Sequence, residues 1–417
     1  MAKELVLQKY ETISPGFYKN FSCLADKCEL SCCLFESDIP IEKHVYEKCK
    51  DIDCGQLKHL VGKFIIKNQG SPAKDTTYAT LVIGKYKSCP FFSDDRICRI
   101  HSELGLEYMN NSCRLYPRRM VFFNNRIEKF LSFTCVEAVR LALLPTQRIT
   151  FDKGLELPEF PGVEDAKERD LCKYGKSYLA ELKYFAIDLM QDRSLSVDER
   201  LYSIGCLIQK LQKIDQNDIQ KQLERMIQQH KEAGTIEEAP GNFIKTEPDW
   251  SLQIQSLAEL ADFSFKCFSS IAYYHEMGEN IFSALGFDNT LQKITVTDDI
   301  RERYLDAYRQ YYLPFMMSNP HLMENYLVCV IFANWYRHNY PMIEHYARLV
   351  MLYAVMRFLL IGLAASRKRL DTETVIELVS RASRPFRYSQ QVLTMKMSRM
   401  RDKNQMTMEY LGKILIV

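Results

Sequence analysis

The sequence predicts a mostly α-helical protein: an irregular all-α domain over residues 165–417, preceded by a small cysteine-rich α+β metal-binding domain over residues 1–150. Three observations carry this expectation. Ten of the 14 cysteines (Cys23, Cys28, Cys32, Cys33, Cys49, Cys54, Cys89, Cys98, Cys113 and Cys135) fall within the first 135 of 417 residues. Beyond residue 165, apolar side chains recur at helical spacing almost throughout. Between the two parts, LELPEFPGVED (Leu155 to Asp165) carries two prolines and a glycine and reads as a boundary.

Taken in order, the cysteine-rich part shows turn signals at Ser14-Pro15-Gly16 and Gly70-Ser71-Pro72 and little long helical periodicity. TTYATLVIG alternates near Tyr78 to Ile83, which predicts a strand, and MVFFNNRIEKFLSF predicts a hairpin turning at Asn124-Asn125. DLCKYGKSYLAELKYFAIDLMQD then begins the helical series. SVDERLYSIGCLIQKLQK opens on Ser196 with Glu199 three residues on, the signature of a capping box. The polar loop EEAPGNFIKTEPDW interrupts the series, and helices are expected near 251–274, 298–318, 321–338, 342–365, 372–383 and 389–413. No fixed-period repeat is present, so a solenoid is not supported.

Composition narrows the function. A net charge of +2 argues against a dedicated nucleic-acid binder, which is normally far more basic. The N-terminus MAKELVLQKYETISPGFY has no apolar core of the signal-peptide kind. The longest apolar run, Leu349 to Ala365, has Arg357 near its middle and falls short of the roughly 20 residues of a membrane span, so a buried helix is expected. The expectation is a monomeric cytoplasmic protein with no nucleic-acid or membrane partner.

In a reducing compartment, clustered thiols point to metal ligation rather than disulfides. The spacings are C-x4-C-x3-C-C, then C-x8-C-x14-C-x21-C, without a single C-x2-C pair. Zinc knuckles build on C-x2–4-C, whereas an iron–sulfur cluster accepts thiolates from separate loops; the spacing therefore favours iron–sulfur and keeps zinc as the alternative. The C-x3-C-x2-C triad of radical S-adenosylmethionine enzymes is absent, because Phe35 stands where its third cysteine would be.

The runs FSCLADKCELSCC, CPFFSDDRICRIH, CRLYPRR and FLSFTCVEAVRLALL resemble the flagellin lysine-N-methylase family. Their cysteine pattern also resembles a broader family of small zinc- or iron-chelating domains. The matching positions are Cys23, Cys28, Cys32, Cys33, Cys89, Cys98, Cys113 and Cys135. ENYLVCVIF (Glu324 to Phe332) and RFLLIGLAA extend the resemblance to the methylases' C-terminal half. His101 stands where these families usually have tyrosine, which adds a potential ligand, and Val136 where the methylases often have proline.

The resemblance implies methyl transfer from S-adenosylmethionine to lysine ε-amines of flagellin, with those cysteines binding a [4Fe–4S] cluster. No G-x-G-x-x-G follows a strand, so a Rossmann-type pocket for the methyl donor is not visible. Arg114, Arg118 and Arg119 flank Cys113 and are candidates to neutralise the cluster or hold the donor's carboxylate. Glu324, Asn325 and Tyr326 are candidates to orient the attacking amine, which must be neutral although a free lysine has a pKa of about 10.4. The row Tyr304, Tyr308, Tyr311, Tyr312 reads as core, with an aromatic lysine channel as the lesser reading. The rival to an enzyme is a non-catalytic iron–sulfur or zinc module for metal delivery, sensing or protein docking.

Overall fold

In the computed structural model, the described residues are 9–34, 38–53, 55–69, 75–83, 88–123, 126–156, 178–233, 248–266, 272–287, 294–335, 340–388 and 390–416. Most of the expected boundary segment lies outside them, as do the Gly70-Ser71-Pro72 and Asn124-Asn125 turns, most of the EEAPGNFIKTEPDW loop, and Cys54, Cys172 and Cys267. Two units result. One takes the described residues up to Phe122 with 126–138 and 152–156; the other takes Phe123, 139–151 and the described residues from Tyr178 on.

In chain order the first part runs β1 (Tyr10–Pro15), β2 (Ile39–Ile41), α1 (Lys43–Lys50), α2 (Gly55–Phe64), β3 (Ile65–Lys67), β4 (Ala79–Leu81), α3 (Asn111–Leu115), β5 (Arg118–Phe123), β6 (Arg126–Leu131), α4 (Val136–Leu143) and β7 (Phe151–Glu156). The expected strand near Tyr78 is β4, at the centre of a three-stranded antiparallel sheet ordered β2-β4-β3. The expected hairpin strands are β5 and β6, and they join a second sheet ordered β5-β6-β1-β7. There β1 pairs parallel to β6, with Thr12 opposite Ile127. Parallel pairing between strands so far apart in sequence leaves no local signal, which is why β1 was not expected.

This unit has an apolar core of its own. Ile41, Val45, Leu57, Val61, Phe64, Leu81, Phe91 and Ile100 pack together, with Cys49 and Cys89 among them. The amphipathic faces of α1 and α2 supply several of these residues.

The helical unit contains α5 (Tyr178–Met190), α6 (Val197–Gln212), α7 (Ile219–Ala233), α8 (Trp250–Lys266), α9 (Ala272–Ala284), α10 (Asp298–Ala307), α11 (Leu313–Ser318), α12 (His321–Asn334), α13 (Met342–Arg367), α14 (Thr372–Tyr388), α15 (Gln390–Asp402) and α16 (Met408–Leu415). The capping box of α6 forms as expected: Glu199 N donates to Ser196 Oγ at 3.3 Å and Ser196 N to the Glu199 carboxylate at 2.7 Å. The single helix expected at 389–413 is two, because Asn404 turns left-handed (φ 54°) and Thr407 caps a new start at Tyr410 N, 3.2 Å away.

α13 is the axis of this unit, packing against α6, α8, α9, α10, α12, α14, α15 and α16. It is long and apolar enough to cross a membrane, but 89% of its apolar window is buried inside the protein. A helix apolar on every side fits that central place. Arg357 is accommodated there because its guanidinium reaches Asp198 and the carbonyls ending α16: Nη1 donates to Leu415 O at 2.8 Å and Nη2 to Ile414 O at 3.0 Å. Close packing also explains Gly205 on α6, where an added Cβ would collide with the Tyr346 ring of α13. Gly205→Ala gains up to about 1 kcal/mol of helix propensity. The overpacking costs about 1–3 kcal/mol, so net destabilisation is expected in urea melts.

Candidate functional site

The segment carrying the first cysteines is an exposed loop, and two arginines hold its backbone. Arg96, at φ 61°, donates from Nη2 to Cys28 O at 2.6 Å and from Nε to Asp26 O at 3.4 Å. Arg118 donates from Nη2 to Phe21 O at 3.0 Å, its guanidinium 4.9 Å from the Phe21 ring centre. The structure thus commits Arg118 to positioning the loop. Arg114 is exposed and bonds Asn111 Oδ1 at 3.0 Å. Arg96 escaped the sequence reading, since nothing in DDRIC separates a loop-tying arginine from a solvated one.

The loop brings Cys32 into the midst of the other thiols. Cys32 acts electrostatically on Cys28, Cys89, Cys98, Cys113 and Cys135. Cys32, Cys89, Cys98 and Cys113 lie within electrostatic reach of one another, although they come from three separate stretches of chain. Cys28 and Cys135 interact with each other beside them, and Cys23 acts on Cys28. Cys33 joins through its backbone, its carbonyl accepting Cys89 N at 2.7 Å, and it packs against the apolar core.

The sulfurs receive N–H donors in a repeated pattern. Ala25 N donates to Cys23 Sγ at 3.5 Å, and the amides of Leu30, Phe91, Ile100 with His101, and Glu137 with Ala138 serve Cys28, Cys89, Cys98 and Cys135. Cys113 Sγ accepts from Asn110 Nδ2 at 3.4 Å, while Asn110 Oδ1 caps α3 by accepting Cys113 N at 2.9 Å. Donors aimed at sulfur favour thiolate, yet burial outweighs them and pushes Cys89, Cys113 and Cys135 up to about 12. A bound cation would reverse that balance, because ligation requires the thiolate. The donor set suits a thiophilic metal. Among the described residues, however, no three His, Cys, Asp or Glu side chains already stand together as an ion site, so the sulfurs would have to draw inward. The His101 side chain is exposed.

Cys49 is a core residue, 2% exposed, and burial raises its thiol to about 11. Cys329 is buried in α12.

In the helical unit Glu324 is 1% exposed and fully engaged. Arg193 donates to it from Nε at 3.0 and 3.1 Å and from Nη2 at 2.8 Å, and Arg200 Nη1 adds a bond of 2.8 Å. Two guanidiniums on one carboxylate make a structural clamp that engages both of its oxygens. Asn325 donates from Nδ2 to Pro145 O at 2.9 Å. Tyr326 is 4% exposed, and burial raises its hydroxyl pKa. The sequence offers these three as candidates to orient the amine; as successive helical residues they point in different directions, and all three are buried.

Residues 183–414 match the family described as the FliB lysine N-methylase C-terminal domain. The chain is 22% identical over 217 residues to the lysine-N-methylase of Salmonella typhimurium and equally to that of Salmonella choleraesuis, covering 50% of this chain and 50% of each relative. It is also 22% identical over 135 residues to the flagellar biosynthetic protein FliU of Salmonella muenchen, covering 31% of this chain and 76% of that one. The matched segment thus spans about half the length of the two methylases. No solved structure matches.

Proposed function

Because the chain belongs to the FliB lysine N-methylase family, we propose that it is a protein-lysine methyltransferase acting on flagellin in the cytoplasm, with S-adenosylmethionine as methyl donor. The observation that carries this reading is the family match across 183–414, which takes in nearly all the described helical unit. The flagellar name of the FliU relative supports a flagellar substrate. The chain lacks the C-x3-C-x2-C triad, which favours polar displacement over reductive cleavage of the donor. The amine nitrogen attacks the sulfonium methyl, the C–S bond breaks toward sulfur, and S-adenosylhomocysteine leaves.

We further propose a [4Fe–4S] cluster in the cysteine-rich unit, held by Cys32, Cys89, Cys98 and Cys113, the four thiols within electrostatic reach of one another. Cys28 and Cys135, each within electrostatic reach of Cys32, and Cys23, beside Cys28, are the candidates for exchange with it. When bound, the cluster would cross-link loops that are also tied by arginine-to-carbonyl bonds and by the Cys89 N–H to Cys33 O bond.

The deciding experiment incubates the full chain with methyl-labelled S-adenosylmethionine and flagellin, with and without a strong reductant. Label is expected on lysine, with S-adenosylhomocysteine formed in equal amount and no need for reductant. The rate should rise with pH through neutrality as the ammonium loses its proton. Formation of 5′-deoxyadenosine only under reducing conditions would replace polar displacement by radical chemistry. Absence of label under both conditions would favour the non-catalytic module.

A further inference from the structure

Asp198, in the first turn of α6, has a side chain 22% exposed and accepts Arg357 Nη1 at 3.2 and 3.3 Å. Tyr353 hydrogen-bonds the same carboxylate. Tyr304, Tyr308 and Tyr312 lie within electrostatic reach of both Asp198 and Arg357. The carboxylate, partly open to solvent, is therefore bonded by one tyrosine and has three more within electrostatic reach.

Two further features single this place out. The Tyr304 side chain is 0% exposed, yet its hydroxyl has no hydrogen-bond partner among the described residues, and neither does Arg357 Nε. Buried polar atoms left unpaired are costly and call for an explanation. The backbone is also unusual, because Tyr308–Tyr312 forms a π-helical turn between α10 and α11. Such turns are rare and concentrate at functional sites. The turn stacks Tyr308 on Tyr312, with ring centres 5.7 Å apart. Tyr304 stacks on Phe358 at 5.8 Å, and Trp250 flanks Tyr304 and Tyr308 at 6.4 and 6.1 Å.

We propose that Asp198 and Tyr304, walled by Tyr308, Tyr312 and Tyr353, form the site that receives the lysine ε-amine. The proposal deepens the methyltransferase reading and rests on it. Aromatic faces and a carboxylate attract an ammonium group. The adjacent Arg357 charge already offsets the carboxylate and disfavours a second cation, so the arriving amine is pressed toward its neutral form. Asp198 accepts one of the amine's N–H bonds and the Tyr304 oxygen another, which leaves the lone pair free. In the transfer, the lysine ammonium first gives its proton to solvent past Asp198. The lone pair then forms the new N–C bond to the methyl of the sulfonium donor, the C–S bond electrons pass to sulfur, and the product is a methylammonium and a thioether. Burial raises the Asp198 carboxyl above the usual range, which suits it to passing a proton.

The test uses the full chain and Tyr304→Phe, with Tyr308→Phe at the rim as a second variant. N-acetyl-lysine methylamide is titrated without methyl donor and followed by tyrosine difference absorbance, and flagellin methylation is measured separately. If the hydroxyl served only the fold, removing an unpaired buried group would leave everything else unchanged. Tyr304→Phe is instead expected to melt at or above the wild-type temperature while turnover falls about 10- to 100-fold and probe binding weakens. Tyr308→Phe should lose less of both. Wild-type binding and turnover in Tyr304→Phe would overturn the site and leave a buried water as the hydroxyl's partner. Lost binding with a lowered melting temperature would mark a packing role and overturn it as well. Failure of the wild-type chain to bind the probe would also overturn it. Probe binding that depends on Tyr304, with no methylation of flagellin by the wild type, would keep the amine site and sink the methyltransferase reading.

Discussion

Glu324→Ala is expected to lower the unfolding free energy of the helical unit by about 3–5 kcal/mol, the cost of removing one partner from a buried ion pair. The loss falls mainly on Arg200. Its side chain is 5% exposed, and its remaining bonds go to Leu195 O at 2.8 Å and Met190 O at 3.0 Å. The guanidinium would stay buried with its countercharge gone. Arg193, 38% exposed, can turn to water and adds little. Glu324→Gln keeps the shape and should fall between wild type and Glu324→Ala. Urea unfolding of the full chain, read by helical circular dichroism, checks the effect. If stability changed by less than about 1 kcal/mol while methyl transfer vanished, Glu324 would act in the chemistry and not as the clamp its geometry describes.

Cys32→Ser is expected to abolish cluster retention. Anaerobically purified wild-type protein should be brown, with about four irons and four sulfides per chain. Cys32→Ser and Cys113→Ser should each lose most of that iron, while Cys206→Ser, on α6, should retain it. Chelation should then expose residues 21–34 to protease, because most of that loop faces solvent and its backbone is held by Arg96 and Arg118. α1 and α2 should persist, since their apolar faces are buried in a core built mostly of aliphatic and aromatic side chains. Colourless protein with stoichiometric zinc would replace iron by the alternative metal. Unchanged iron in Cys32→Ser would remove Cys32 from the ligand set.

The sequence alone determined the class of fold and the crowding of thiols in the cysteine-rich part. Helical periodicity is local, with a period fixed by the backbone, so α5, α6 and α13 could be read from a few turns each. The Ser196–Glu199 box is likewise a contact between neighbours three residues apart. Thiols crowded into 135 residues report a shared environment whatever the path of the chain. Tertiary structure decided everything that depends on distant residues meeting. Strand β1 exists because it pairs with β6, more than a hundred residues away. Arg96 and Arg118 take their roles from carbonyls that sequence spacing cannot place near them. Glu324 reads from the sequence as a candidate to orient the amine, and only the tertiary structure shows Arg193 and Arg200, from the turn before another helix and from that helix, on its carboxylate. Asp198 read as part of a helix start, and only packing set it among Tyr304, Tyr308, Tyr312 and Tyr353, facing Arg357. A residue's type states what it can do, but charges and hydrogen bonds act over a few ångströms, so the groups that reach it in space decide which of those things it does.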